Sequence, residues 1–332
     1  MARHRGSSDF QLIEKIFDQL SSSVAIAMLK DDKLVYEFYG GRSGINRTTR
    51  FNIGSASALF TGALVVKLME FGEMGLADKV SRFVPEFHFD DVTVYHLLTH
   101  TSGLDSGAVP RPENQAAKHE FYNKLYGGLR RECNPGVKSK YFQYGYAILA
   151  DAVERVSGQP LEELASVLLF IPLGMRFTTY NSGSLRDNQY VIPWNHKENR
   201  FMSEMHAKQP TGQSGVYATA LDMIRFGRVF LNGGESEGKP VFLESSIEFM
   251  FREITGAKFM RTPLFMIKRK VDIFGCFSEK LSSAAVALTG DTGAILFIDP
   301  VRRVVGAALT NSTWVDSLSQ NYSNITDILM GM

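Results

Sequence analysis

Phe51-Asn52-Ile53-Gly54-Ser55-Ala56-Ser57-Ala58-Leu59-Phe60-Thr61 is the stretch on which the fold turns. A small residue, a serine and a long apolar run place Ser55 at the first turn of a buried helix. In the known chemistry of that arrangement a lysine stands three residues on, along the same helix face, beside the hydroxyl. Here that residue is Ala58. The same pattern also suits a helix-capping serine, preceded by Gly54 and followed by apolar residues.

On the N-terminal side, the spacing predicts a helix over about residues 9–20, where Phe10, Ile13, Ile16, Phe17 and Leu20 recur at helical intervals. Residues 24–29 and 34–39 read as strands joined by the turn Lys30-Asp31-Asp32-Lys33. Near the other end, residues 293–298 and 304–309 form a second hairpin around Asp299-Pro300-Val301-Arg302-Arg303, and a last helix covers about 317–330. Strands at both ends with helical patterns between them imply an α+β fold. One antiparallel sheet is built from both termini and flanked by helices, with an inserted, mostly helical lobe. The expected organisation is a single domain over 1–332, with the sheet lobe at about 8–60 and 270–332 and the helical lobe at about 61–269. Residues 258–271 mix Met260, Leu264, Phe265, Met266 and Ile267 with five basic residues. They read as a strand pair or as a flap over a site, and ordinary structure is the preferred reading.

The 332 residues suffice for two compact regions or one large domain with an embedded lobe. Hydrophobic residues make up 44% and charged residues 21%, the balance of a globular protein. The 36 basic and 35 acidic side chains nearly cancel, with no dense Lys/Arg run to suit a nucleic-acid or anionic-membrane surface. Arg3-His4-Arg5 reads as a loose terminus. Cys133 and Cys276 are far apart and lack metal-type spacing, so neither a disulfide framework nor a structural zinc is expected. The first thirty residues lack the apolar core of a signal peptide. No later run reaches the roughly 18 apolar residues of a membrane span. A cytoplasmic location is therefore expected.

Further segments fall in a fixed order. After the Ser55 segment come Glu73-Met74-Gly75-Leu76-Ala77-Asp78-Lys79-Val80 and Val84-Pro85-Glu86-Phe87. Then follows Val92-Thr93-Val94-Tyr95-His96-Leu97-Leu98-Thr99-His100-Thr101-Ser102-Gly103-Leu104. Pro135-Gly136 leads into Tyr141-Phe142-Gln143-Tyr144-Gly145-Tyr146, with Pro172-Leu173-Gly174-Met175 after it. Leu288-Thr289-Gly290-Asp291-Thr292-Gly293 and Leu309-Thr310-Asn311 close the series. This order resembles the serine β-lactamase and penicillin-binding-protein-like family. The likeness is greatest to its class C-like branch of esterases, D-amino-acid peptidases and transacylases, and it spans about residues 51–311.

The resemblance implies three catalytic motifs, each altered here. Ser-x-x-Lys becomes Ser55-Ala56-Ser57-Ala58, Tyr-x-Asn becomes Tyr141-Phe142-Gln143, and Lys-Thr-Gly or His-x-Gly becomes Leu288-Thr289-Gly290. By the family pattern Ser55 is the nucleophile and Tyr141 the acid/base. Ala58, Gln143, Leu288, Thr289 and Gly290 contact substrate, and the backbone amides of Ser55 and Asp291 form the oxyanion hole. A lysine–tyrosine pair activates the nucleophile in that family, and general acid–base catalysis is worth roughly 10²–10⁴ in rate. Without the ammonium, an unshifted tyrosine with a pKa of about 10 is phenolate for only about one part in a thousand at neutral pH. The amides need no particular side chain and are worth roughly 10²–10³ each. Leu288 in place of a cation favours an apolar or uncharged ligand group, which disfavours a peptide ending in a D-Ala carboxylate. Gln143 keeps an amide one carbon further out.

Other candidates are weaker. His100 belongs to a helix-ending signature of the family, and His96, His196 and His206 lack partners at metal spacing. Lys67 lies twelve residues along the helix from Ser55, turned by about 120° and raised by about 18 Å. Lys138 and Lys140 read as solvated. Ala58 is either natural divergence or an engineered Lys→Ala substitution, and Gln143 and Leu288 favour divergence. The leading expectation is a serine hydrolase or acyltransferase acting through Ser55 on an ester, thioester or amide of a small molecule, intracellular and biosynthetic. No metal or organic cofactor is implied. The alternative is a diverged non-acylating or binding-only protein that uses the old pocket, or an esterase or β-lactamase carrying the substitution at Ala58.

Overall fold

The computed structural model describes residues 23–41, 44–109, 115–186, 189–195, 197–202, 211–254, 261–268, 275–313 and 318–331. The helix expected over 9–20 lies outside them. Strands β1 (Val24–Lys30) and β2 (Lys33–Gly40) form the first hairpin. Its turn residues Asp31 and Asp32 both take left-handed backbone, φ +49° and +64°. A two-residue turn needs that pair of angles to follow the twist of the strands, and aspartate tolerates it. The Asp32 carboxylate accepts from Arg228 Nε (2.8 Å), Asn232 Nδ2 (3.0 Å) and Arg303 Nη2 (2.8 Å), tying this turn to two distant segments.

One of those segments is the C-terminal hairpin. The chain runs through β3 (Arg50–Asn52) and α1 (Ala58–Glu70), then α2 (Val94–Leu98), α3 (Gln115–Gly128), α4 (Tyr144–Ser157) and α5 (Ala220–Leu231). It then returns through β4 (Met266–Ile267), β5 (Val286–Gly290), β6 (Ala294–Asp299), β7 (Val304–Thr310) and α6 (Leu318–Gly331). The sheet order is β4-β5-β6-β7-β1-β2, antiparallel throughout. Val24 faces Thr310 across the β1–β7 pair, so the two ends of the chain meet in one sheet as expected.

Alternate residues divide between two apolar layers. Ala25, Ala27, Leu29, Leu296, Ile298, Val305 and Leu309 join the main core with Phe226 and Phe230 of α5. Val24, Ile26, Met28, Ile295 and Phe297 face the other way, against Ile325 and Leu329 of α6. With both faces covered, β1 is buried along nearly its whole length, which explains its unbroken apolar run.

The lobe boundaries differ from those the sequence suggests. β4 and α5 both fall within 61–269 yet belong to the sheet layer. A Cβ on Gly227 would lie 2.4 Å from Val305 Cγ1, so α5 rests on β7 at a separation glycine permits. Short strands missing from the sequence reading also appear between the helices. Tyr190–Val191 and Tyr217–Ala218 flank β3 on either side and fix the chain just before Ser55. α1 is buried all round from Leu59 to Val66 and runs through the core, with Phe60 meeting Phe170 and Phe226 edge to face.

Candidate active site

Ser55 owes its position to the turn before it. β3 ends at Asn52, whose side-chain carbonyl accepts from the Gly54 amide at 2.8 Å. Gly54 has φ +56°, which a side chain rarely adopts, and a Cβ there would meet Asp291 Oδ1 at 2.1 Å. A single 3₁₀ turn, Gly54–Ser57, then leads into α1. Ser57 is buried: its hydroxyl donates to Gly54 O (2.7 Å) and accepts from Val216 N–H (3.0 Å). Ser57 locks the turn, which leaves Ser55 half-buried on the open side. The helix-capping reading of Ser55 does not hold, because its hydroxyl accepts from the Asp291 amide at 3.3 Å instead.

The end of β5 lies directly over this turn. A Cβ on Gly290 would sit 2.1 Å from Ile53 O and 3.2 Å from Ala56 N, so the two backbones touch. Beyond it, Thr292 Oγ1 donates to Asn52 O at 2.6 Å. These contacts create a cleft of about 280 Å³ whose walls include Ser55, Ala58, Tyr141, Leu288, Thr289, Gly290 and Asp291. Residues from three separate stretches of sequence thus come together as the motif reading expects.

Gln143 is the exception. It is exposed at the start of α4 and forms no part of the cleft wall. The physical reason is local: Gln143 already has helical backbone, φ −56° and ψ −37°, while buried Phe142 anchors the segment inward. Tyr141, before that anchor, remains 55% exposed at the cleft rim.

The oxyanion hole also needs correction. The two amides do not share an acceptor: the Ser55 N–H donates to Asp291 Oδ1 at 2.7 Å and the Asp291 N–H to Ser55 Oγ at 3.3 Å. The side chain at this position therefore matters. An aspartate is short enough to fold back onto the neighbouring amide, and its negative charge stands where a developing oxyanion would accept the same bond.

Three cleft residues were missed or underrated. His100 follows α2 in a left-handed conformation, φ +54°, as a helix-ending signature should. Its ring also borders the cleft, 5.0 Å from that of Tyr141 and 5.4 Å from that of Tyr146. Nδ1 accepts from Phe142 N–H at 3.3 Å, which assigns the proton of the neutral ring to Nε2. Burial, aided by the Arg261 charge, pushes its pKa down to about 3, so His100 is a neutral dipole at physiological pH. Tyr146 donates its hydroxyl to Leu98 O (3.1 Å) or Pro263 O (3.2 Å). Arg261, in the segment expected to be a strand pair or a flap, also lines the cleft.

The lysines weighed from sequence are engaged elsewhere or exposed. Lys67 bonds Glu70 (2.5 Å) and Val241 O (2.7 Å). Lys140 pairs with Asp105 (3.0 Å) and Glu132 (2.8 Å), and Lys138 is exposed. His96 Nδ1 accepts from Thr93 N–H at 3.1 Å in a capping box, a structural role.

Among known proteins, the chain is 27% identical over 227 residues to the D-alanyl-D-alanine-carboxypeptidase/endopeptidase AmpH of Escherichia coli, covering 64% of this chain and 58% of that protein. It is 28% identical over 227 residues to penicillin-binding protein 4 of Amycolatopsis lactamdurans, covering 62% and 57%. The chain thus spans a little over half the length of these curated relatives. Solved structures share the fold over nearly its full length. EstCE1, a hydrolase with promiscuous acyltransferase activity, superposes with a TM-score of 0.80 at 18% identity, covering 97% of this chain and 98% of that one. A class C β-lactamase in complex with cefoxitin gives 0.76 at 17% identity, covering 98% of each. The Beta-lactamase family profile matches residues 12–331, and the chain belongs to that family.

Proposed function

We propose that this protein is a serine hydrolase or acyltransferase that uses Ser55 to attack an ester, thioester or amide of a small, largely apolar molecule. One observation carries the reading: the Ser55 hydroxyl opens into a cleft beside a backbone N–H donor, that of Asp291, with Tyr141 in the same walls. In the reaction Ser55 Oγ bonds to the carbonyl carbon while its proton passes to the Tyr141 phenolate, and the carbonyl π pair moves onto oxygen. Collapse of that intermediate breaks the bond to the leaving group, which takes the proton from Tyr141. Water or an acceptor alcohol or amine then repeats the sequence on the acyl-enzyme.

Leu98, Leu264, Met266 and Leu288 make much of the wall apolar, which suits an acyl chain or an uncharged ring. Cys133 and Cys276 are both free thiols, in keeping with a proposed cytoplasmic setting. The test is intact-protein mass after exposure to activated esters, a thioester and a β-lactam. An adduct that disappears in Ser55→Ala supports the reading.

A second reading is favoured by one specific observation, the Asp291 carboxylate on the Ser55 amide. Together with Ala58 it suits a cleft that binds a ligand without acylation. That reading requires full ligand affinity in Ser55→Ala and no adduct in the unmodified protein.

A further inference from the structure

We propose that the Nε2–H of His100 is a specificity-determining donor of this cleft: it hydrogen-bonds an uncharged oxygen of the substrate, distinct from the reacting carbonyl. The proposal rests on the acyl-transfer reading above and narrows its substrate class to apolar molecules that carry a second oxygen acceptor.

The geometry begins with how His100 is held. Its N–H donates to Leu97 O at 3.2 Å, its carbonyl accepts from Lys140 N–H at 3.0 Å, and ring Nδ1 accepts from Phe142 N–H at 3.3 Å. A backbone N–H needs an acceptor, so the last bond fixes both the way the ring is turned and its tautomer. The ring's one donor is therefore Nε2–H, and no described residue accepts from it. The side chain is only 6% exposed, and it borders the cleft. Nε2 is not sealed without a partner, as the Tyr122 hydroxyl and Gln213 Oε1 are, so it is reached from the cleft.

Burial keeps the imidazole neutral, so the cleft gains a donor without a charge. Leu98, Leu264, Met266 and Leu288 in the same walls offer no side-chain hydrogen bond in return. An acyl or alkyl chain that fills the cleft and excludes water must offer Nε2–H an acceptor or leave it unpaired. A buried donor left unpaired costs more than a hydrogen bond gains, so a site of this kind rejects the ligand that lacks the acceptor. The reacting carbonyl is polarised at the Asp291 amide, and His100 keeps its proton throughout.

The experiment compares the unmodified protein with His100→Asn and His100→Gln, with folding checked by circular dichroism and Tm. Asparagine keeps an oxygen where Nδ1 stands but has no donor at the place of Nε2. Glutamine reaches the place of Nε2 with its amide but leaves Phe142 N–H without its acceptor. The probes are p-nitrophenyl hexanoate and its isosteres with an ether oxygen in place of the third, fourth or fifth chain carbon. Hexyl acetate with the same replacements in the alcohol tests the other half of the substrate. For at least one isostere, kcat/KM relative to its parent ester should be about tenfold higher in the unmodified protein than in His100→Asn. His100→Gln should lower Tm yet keep that preference. Equal preferences in the unmodified protein and folded His100→Asn overturn the proposal, as does an equal loss in both variants, which would mark a packing role. If His100→Gln does not fold, His100→Asn at unchanged Tm decides. If no ester is turned over, the acyl-transfer reading fails, and the ring itself decides, by NMR of ¹⁵N-histidine-labelled protein with the His100 signal assigned from His100→Asn. A shift of the His100 Nε2–H resonance with an ether isostere but not with its parent supports the donor role, and an unmoved resonance overturns it.

Discussion

The Ser55 amide donates to the Asp291 carboxylate at 2.7 Å, while the Asp291 amide donates to the Ser55 hydroxyl at 3.3 Å. Both donors expected to form the oxyanion hole are thus engaged by the pair itself. A substrate carbonyl must displace a carboxylate before it can use the Ser55 N–H, and the charge left nearby opposes the oxyanion. One such donor is worth roughly 10²–10³ in rate. Asp291→Ser should therefore acylate about ten- to a hundredfold faster. Asp291→Asn keeps an acceptor without the charge and should fall between. Adduct formation followed by intact mass checks both. An unchanged rate in Asp291→Ser would mean that the carboxylate leaves the amide at no cost.

His100 gives the protein an acid sensitivity with a definite sign. Its pKa is pushed down to about 3 in the folded state, against 6.5 ordinarily. Below pH 6.5 the unfolded chain binds the proton that the folded protein refuses. The stability from a neutral His100 is complete above that pH and is lost as pH falls toward about 3, by up to about 1.4 kcal/mol per unit. His100→Asn tolerates the left-handed backbone and retains a side-chain oxygen to accept from Phe142 N–H. Between pH 7 and 5, the unfolding free energy read by urea should fall by about 2 kcal/mol more in the unmodified protein than in this variant. Equal losses would mean that His100 titrates near its ordinary value.

What was legible in the sequence follows from how local each signal was. β1, β2, β6 and β7 announce themselves because each is a short apolar run beside a turn of Asp, Pro or charged residues. The two-residue strands Tyr190–Val191 and Tyr217–Ala218 carry too few residues to show a period, yet they position Ser55. Motif order placed Ser55, Tyr141 and residues 288–291 in one cleft. Gln143 went astray because spacing cannot say on which side of buried Phe142 a side chain emerges. The Asp291 contact and Arg261 were invisible for a related reason. Each depends on a side chain meeting residues far away in the chain, 236 positions away in the case of Ser55.

Gln143 supplies a direct contrast between motif and structure. Since it is exposed outside the cleft wall, Gln143→Ala should change neither the maximal acylation rate nor the half-saturating concentration by more than about twofold, the usual range of a surface substitution. Saturation kinetics with an activated ester measures both. A large rise in the half-saturating concentration would restore the substrate-orienting role implied by Tyr-x-Asn.

Gly290 is constrained by space rather than by backbone angle. The atoms a Cβ would meet, Ile53 O at 2.1 Å and Ala56 N at 3.2 Å, are both backbone of the Ser55 turn. No flexible side chain can yield, so β5 and that turn must part. Gly290→Ala should lower stability by about 2–4 kcal/mol and reduce acylation as the Asp291 amide withdraws from Ser55. Thermal unfolding and adduct formation read the two effects. Loss of Tm with normal acylation would separate the packing from the chemistry.

Ala58→Lys tests whether the cleft still holds a catalytic geometry. Position 58 is half-buried, lines the cleft, and lies three residues on from Ser55 at the start of α1. A lysine there must desolvate its ammonium against Leu59, Leu98 and Leu288, and Arg261 repels it while Asp291 attracts it. Positioned acid–base catalysis is worth roughly 10²–10⁴, and these costs reduce the expected gain to about ten- to a hundredfold in acylation. The gain must vanish when Ser55→Ala is added. If Ala58→Lys folds but acylates no faster, the closed Ser55–Asp291 pair is limiting, and Ala58→Lys with Asp291→Ser should then exceed the product of the two single effects. Independent contributions would multiply instead, so the double variant reads the coupling between base and oxyanion hole directly.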